Sequence, residues 1–224
     1  MANILVAGAG KGIGKATAEY AHKKGHNVFA VSRNKLDLRR RPYKTFDINL
    51  GASKSTPFSK EFAYTIDAVI NCTGIHPGTQ EFNNTWQADV KFTINQNLDP
   101  ALELYHTFLP VFRERKKGHF VHISSAALDF FDASESGYCA SKAALEAVVK
   151  SLQNGEQETG ILHHAVRVSL TDTPLARRVY PTIKDWNPFY TAKEIASYLV
   201  DVVENPANYP KTIVKLPYKP VRIN

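Results

Sequence analysis

Tyr138 and Lys142 stand four residues apart in Tyr138-Cys-Ala-Ser-Lys142, and at 3.6 residues per helical turn this puts a phenol and an ammonium on one helix face. An ammonium beside a phenol favours the phenolate. It therefore predicts a tyrosine pKa drawn down from about 10 toward working pH, where the group both gives and takes a proton. Ser125 ends the preceding apolar run, His119-Phe-Val-His-Ile-Ser-Ser125, and its hydroxyl is placed to donate to the same reacting oxygen. With ten tyrosines in the chain such a pair also arises by accident, so the elements that position it must agree.

Those elements begin at the amino terminus. Residues 3–8, Asn-Ile-Leu-Val-Ala-Gly, form a continuous apolar run of the kind a parallel strand shows when both its faces are covered. Gly8-Ala-Gly-Lys11-Gly12-Ile13-Gly14 follows, and then a helix-forming stretch that closes at Gly25. Glycines at a strand-to-helix turn let the backbone approach a pyrophosphate, whose charge meets free N–H groups and the positive helix end. A second strand, residues 26–32, completes a β-α-β unit and ends in Ser32-Arg33, with no acid where a ribose 2′-hydroxyl would be read. Arg33 and Lys11 are cations suited to a 2′-phosphate, which favours NADP(H) over NAD(H). A short strand over residues 43–48 puts Asp47 at its carboxyl end, on the adenine side of such a fold. A fourth over residues 66–71 leads into Asn71-Cys-Thr-Gly74, with a glycine suited to close cofactor approach.

From residue 83 to 115 the apolar positions recur at helical spacing, and Pro100 beside Asn97 predicts a kink or a new start there. A strand over residues 162–170 follows the Tyr138 helix, and the adjacent His163 and His164 point to its opposite faces, so they do not share a metal. Residues 171–190 form a short covering segment in which His76, from an earlier loop, and Arg177, Arg178, Tyr180, Trp186 and Phe189 are available to shape a pocket. Thr191 with Glu194 reads as a capping box opening another helix, and a last strand runs from 212 to 217. The pattern is a single α/β domain over residues 1–224.

Composition narrows the setting. No apolar run approaches the ~18 residues of a membrane span, and two cysteines, Cys72 and Cys139, make no disulfide framework, so the expectation is a cytoplasmic protein without a membrane partner. Cys139 reads as a small packing residue. The net charge of +7 gathers in residues 33–41 and 113–117; the second run closes a helix, where cations suit the dipole. Basic and aromatic residues do not interleave as single-strand binders require, which argues against nucleic acid.

Taken in order, the glycine turn, Asn71-x-x-Gly74, Asn97, Ser125 and Tyr138-x-x-x-Lys142 resemble the short-chain dehydrogenase/reductase family over about residues 3–175. Gly8, Gly12 and Gly14 match its glycine motif, with Ala7 where Thr is usual. Ser125 precedes Tyr138 by thirteen residues, as in the family, and Asn97 precedes Pro110 by thirteen. The resemblance implies a doubly wound Rossmann fold with a parallel sheet of about seven strands, binding NAD(P) at the carboxyl ends. It implies that Tyr138 protonates the carbonyl oxygen of a ketone or aldehyde while Ser125 orients that oxygen. Lys142 would hold the nicotinamide ribose and lower the tyrosine pKa, and Asn97 a water leading to solvent. It further implies a homodimer or homotetramer paired through helices near 97–116 and 138–158, which a monomer in sedimentation would contradict. The family's Pro-Gly pair after the sixth strand is missing around Val166-Arg-Val-Ser-Leu-Thr-Asp-Thr-Pro174, and the chain is short in the same region. A more open pocket is expected, and the rival reading is an NADP(H)-binding regulatory or sensor protein with little turnover.

Overall fold

The computed structural model of the protein describes residues 1–34, 38–39, 41–51, 58–78 and 86–217. The parts of the predicted features at 35–37, 40, 52–57, 83–85 and 218–224 lie outside the described residues. Strands β1 (Asn3–Ala7), β2 (Asn27–Ser32), β3 (Lys44–Asp47), β4 (Ala68–Asn71), β5 (Gly118–Ser125), β6 (Ile161–Val168) and β9 (Ile213–Lys215) form one sheet in the order β3-β2-β1-β4-β5-β6-β9. Every pairing is parallel. Two further short strands, β7 (Thr171–Asp172) and β8 (Tyr190–Thr191), pair with each other.

The apolar runs explain why the sheet is covered on both sides. Alternate residues of a strand face opposite ways, so Ile4 and Val6 join a core with α1 (Gly12–Lys23) and α6 (Ala192–Glu204). Leu5 and Ala7 join a second core with α2 (Lys60–Thr65) and α3 (Trp86–Arg115). Thr191 and Glu194 make the predicted capping box of α6. On the α3 side lies α4 (Ser136–Gly155), packed on α3 through Ala101, Leu145 and Val149. Strand order reverses between β1 and β4, and it is at such a point, beyond the carboxyl ends, that an open α/β sheet leaves a crevice.

Of the kink or new start expected at Pro100, the new start is absent. α3 is continuous from Trp86 to Arg115 with both Pro100 and Pro110 inside it, and Asn97 marks no new start. Proline removes one N–H and crowds the preceding turn, but here Pro100, Ala101, Leu104 and Phe108 are all buried, so packing carries the helix across the missing bond.

Candidate active site

The β1–α1 turn owes its shape to two glycines. Gly8 has φ +77, and a Cβ there would lie 2.8 Å from the Cys72 carbonyl carbon; a Cβ on Gly14 would lie 2.2 Å from the Gly8 oxygen. Only a chain without side chains at both positions brings this turn against the end of β4. The N-cap of α1 is Lys11, which makes no side-chain cap bond, and the first turn of the helix holds no acid. Its free amides and positive end therefore face the crevice, the arrangement that receives a phosphate group.

The crevice opens into a cavity of about 960 Å³. Gly8, Lys11, Gly12, Ile13, Gly14, Ser32 and Arg33 line it, as do Ser125, Tyr138 and Lys142, with Gly74 beside Lys142. Neither Lys11 nor Arg33 has a carboxylate partner among the described residues. Three predicted residues stand off the wall. Asp47 is exposed at the end of β3, while next to it Ile48, Asn49 and Leu50 line the cavity. Asn71 is buried and holds the turn after β4, its Oδ1 accepting from the Thr73 amide at 3.0 Å and hydroxyl at 2.6 Å. Asn97 is buried on α3, where Nδ2 donates to the Ile75 carbonyl (3.0 Å) and Ser141 Oγ (2.8 Å) and Oδ1 accepts from the Ile75 amide (2.6 Å). Its amide thereby clamps the loop after β4 onto α4.

The two serines ending β5 separate as strand alternation requires. Ser124 points inward and donates to Glu146 Oε1 at 2.6 Å, whereas Ser125 reaches the cavity, where its Oγ accepts from the Ala127 amide at 3.2 Å and its hydroxyl acts on the Tyr138 phenol. Lys142 is 3% exposed; its Nζ donates to the Ile123 carbonyl at 3.0 Å and lies 5.8 Å from the centre of the Tyr138 ring. This arrangement reverses the predicted phenol shift. Burial pushes Tyr138 up to about 12, with the Ser125 hydroxyl lowering it and the Glu135 carboxylate raising it again. Burial also lowers Lys142 to about 8. The ammonium faces the ring and is bonded to a carbonyl, so the i,i+4 spacing does not translate into a phenolate. At neutral pH the pair is a protonated phenol beside an ammonium.

The segment after β6 supplies a wall despite lacking a Pro-Gly pair. Val168, Ser169, Leu170, Thr171 and Thr173 line the cavity, and Thr173 caps α5 (Pro174–Val179) through its hydroxyl. Arg178, Tyr180 and Phe189 reach the cavity; Trp186 does not, and instead stacks beside Phe189 under the Arg177 guanidinium. His76 packs against Tyr138 with ring centres 4.1 Å apart. Sequence reasoning missed Glu135 on this wall, since a lone acid before a helix carries no signal of where its side chain turns. Cys139 is buried, its thiol pushed up by burial, as a packing residue should be.

A glycine turn at the strand-order reversal, sharing one cavity with a serine, tyrosine and lysine, can bind a dinucleotide beside a proton donor. The signature of the short chain dehydrogenase family matches residues 2–184. The chain belongs to the short-chain dehydrogenase/reductase family. Among relatives, dehydrogenase/reductase SDR family member 6 of Xenopus laevis is 30% identical over 181 residues, covering 78% of this chain and 73% of that protein. The short-chain dehydrogenase/reductase cdmF of Talaromyces verruculosus is 25% identical and covers 95% and 87%. Among solved structures, the closed form of a serine dehydrogenase complexed with NADP+ superposes with a TM-score of 0.86 at 18% identity, covering 99% of this chain and 97% of that one, a likeness of fold. This short-chain dehydrogenase/reductase is thus an oxidoreductase that takes a nicotinamide cofactor. The glycine cradle and the uncapped α1 amides fit the cofactor's pyrophosphate. Among the described residues, no helix is long and apolar enough to cross a membrane and no group of His, Cys, Asp and Glu could hold a metal ion.

Proposed function

We propose that the protein is an NADPH-dependent reductase of a ketone or aldehyde, with Tyr138 as the general acid. The observation that carries this reading is the convergence of Ser125, Tyr138 and Lys142 on one wall of the cavity that begins at the glycine turn. Gly8, Gly12, Ile13, Gly14 and the α1 amides hold the pyrophosphate, and Gly74 leaves room beside Lys142. Lys11 and Arg33 receive the 2′-phosphate, which selects NADPH over NADH. When bound, the cofactor supplies the hydride to the carbonyl carbon.

The side chains do the rest. Ser125 and Tyr138, lining the same cavity, bracket the carbonyl oxygen. Tyr138, protonated at neutral pH, gives that oxygen its proton, and the Lys142 charge beside the ring stabilises the phenolate left behind. Asn97 acts through position, holding Ile75 and hence Gly74 against α4. In the alcohol-oxidising direction the same phenolate takes the proton back. Two solved relatives in fold carry NADP, the serine dehydrogenase above and a short chain dehydrogenase from Burkholderia cenocepacia, in keeping with the cofactor choice.

The test is NADPH consumption against a panel of ketones and aldehydes, for wild type and Tyr138→Phe. Turnover in the wild type and its loss by ~10²-fold or more in the variant is expected. NADPH binding with no turnover of any carbonyl would sink the reductase reading in favour of a sensor.

A further inference from the structure

Glu135 stands at the N-cap of α4, where an acceptor side chain ordinarily takes an amide of the first turn. It makes no such bond. Its side chain turns instead to the cavity, where Oε1 accepts from the Tyr180 hydroxyl at 2.5 Å and faces His76 Nε2 at 3.4 Å. The Gly78 amide donates to His76 Nδ1 at 3.1 Å, and burial keeps the ring neutral, so its one proton sits on Nε2, directed at the carboxylate. Tyr180, just after α5, thus bonds one oxygen of Glu135, and His76 of the loop after β4 stands close to that same oxygen without completing a hydrogen bond to it.

The second oxygen, Oε2, has no protein partner among the described residues. It belongs to a carboxylate on the wall that also holds Tyr138, whose ring lies 4.1 Å from that of His76. A carboxylate oxygen is an acceptor only, so the group it receives is an O–H or N–H donor. Charge chooses between them. Lys142 and Arg178 both act electrostatically on His76, and Arg178 donates to the His76 carbonyl at 3.3 Å, so a cationic ammonium at this place would meet two positive charges. A neutral hydroxyl meets no such opposition.

We propose that Glu135 determines specificity, its free carboxylate oxygen accepting the hydroxyl of a hydroxylated ketone or aldehyde whose carbonyl is reduced at Ser125 and Tyr138. This rests on the reductase reading above and names its substrate class. His76 and Tyr180 are positioning residues for the carboxylate.

The experiment compares kcat/KM with NADPH for hydroxyacetone, 1,3-dihydroxyacetone and 4-hydroxy-2-butanone against acetone and 2-butanone, and for aminoacetone. Wild type, Glu135→Gln and Glu135→Leu are measured, with NADPH affinity as the check on folding. Wild type should favour its best hydroxyketone over the matching deoxy ketone by about 10-fold or more, the range of a hydrogen bond to a charged group. That ratio should fall toward one in Glu135→Leu and partway in Glu135→Gln. A wild-type ratio near one, an unchanged ratio in Glu135→Leu, or preference for aminoacetone overturns the proposal while leaving the reductase reading intact. Reduction of no ketone and no aldehyde with NADPH bound removes both.

Discussion

At the scale of single residues, Tyr138 and Lys142 show how far local spacing carries an argument. The i,i+4 relation puts both on one face of α4 and on one cavity wall, but the tyrosine pKa is set by burial and by Ser125 and Glu135, which come from β5 and the turn before the helix. A spacing rule contains neither. The outcome favours reduction, because a phenol held near 12 is a proton donor throughout the neutral range. That Arg33 lines the cavity was legible, because it follows an apolar strand of the β-α-β unit. Glu135 and His76 were not, since their meeting is purely tertiary. For Arg33, which lines the cavity without a carboxylate partner among the described residues, Arg33→Ala is expected to raise the Kd for NADPH about tenfold or more while changing that for NADH little. Fluorescence titration of both cofactors measures this; equal losses would remove Arg33 from the 2′-phosphate.

At the scale of elements, the strands and the β-α-β unit were readable because their apolar runs are local. The unbroken α3 was not, because the packing around Pro100, through Ala101, Leu104 and Phe108, comes from α4 and the sheet. Equally hidden was what anchors α4. Glu146, one turn beyond Lys142 and 3% exposed, accepts from Ser124 on β5 at 2.6 Å and from Arg167 Nε and Nη2 on β6, each at 2.7 Å. Arg167 continues to Asp129 at 2.5 Å, which also takes Lys215 of β9 at 2.6 Å. A bidentate guanidinium–carboxylate pair of this kind fixes orientation as well as distance. Glu146→Ala removes two of the three charge-assisted bonds to Arg167 and leaves buried Ser124 without its acceptor, so it should cost about 3 kcal/mol. Urea denaturation reads this as a lower midpoint at unchanged slope; a loss below about 1 kcal/mol would mean that Asp129 alone satisfies Arg167.

At the scale of the whole molecule, the sheet buries histidines where apolar residues would be expected. His119 Nε2 meets His164 Nδ1 at 2.8 Å, and His164 Nε2 meets the Tyr209 carbonyl at 2.8 Å, a chain that both rings complete as neutral tautomers. Burial pushes His119 and His122 down to about 3 and His163 down to about 4. The unfolded chain takes up these protons near pH 6.5 and the folded one does not, so between those values stability rises with pH. It is complete above about pH 6.5 and is lost as pH falls. From pH 7 to about 5.5 each histidine should remove up to about 1 kcal/mol, in a range where carboxylates scarcely titrate. Thermal melts across that interval should therefore fall steeply, and His163→Gln should flatten the slope; a Tm independent of pH would contradict neutral burial. The central claim, that this cavity delivers a proton from Tyr138 to a carbonyl reduced by NADPH, is tested most directly by single turnover. NADPH-loaded wild type and Tyr138→Phe are mixed with a saturating carbonyl substrate that the wild type turns over in the panel, while nicotinamide absorbance is followed and cofactor affinity is measured separately. The account predicts the same Kd for NADPH in both and oxidation slower by ~10²-fold or more in the variant; equal oxidation rates would contradict it.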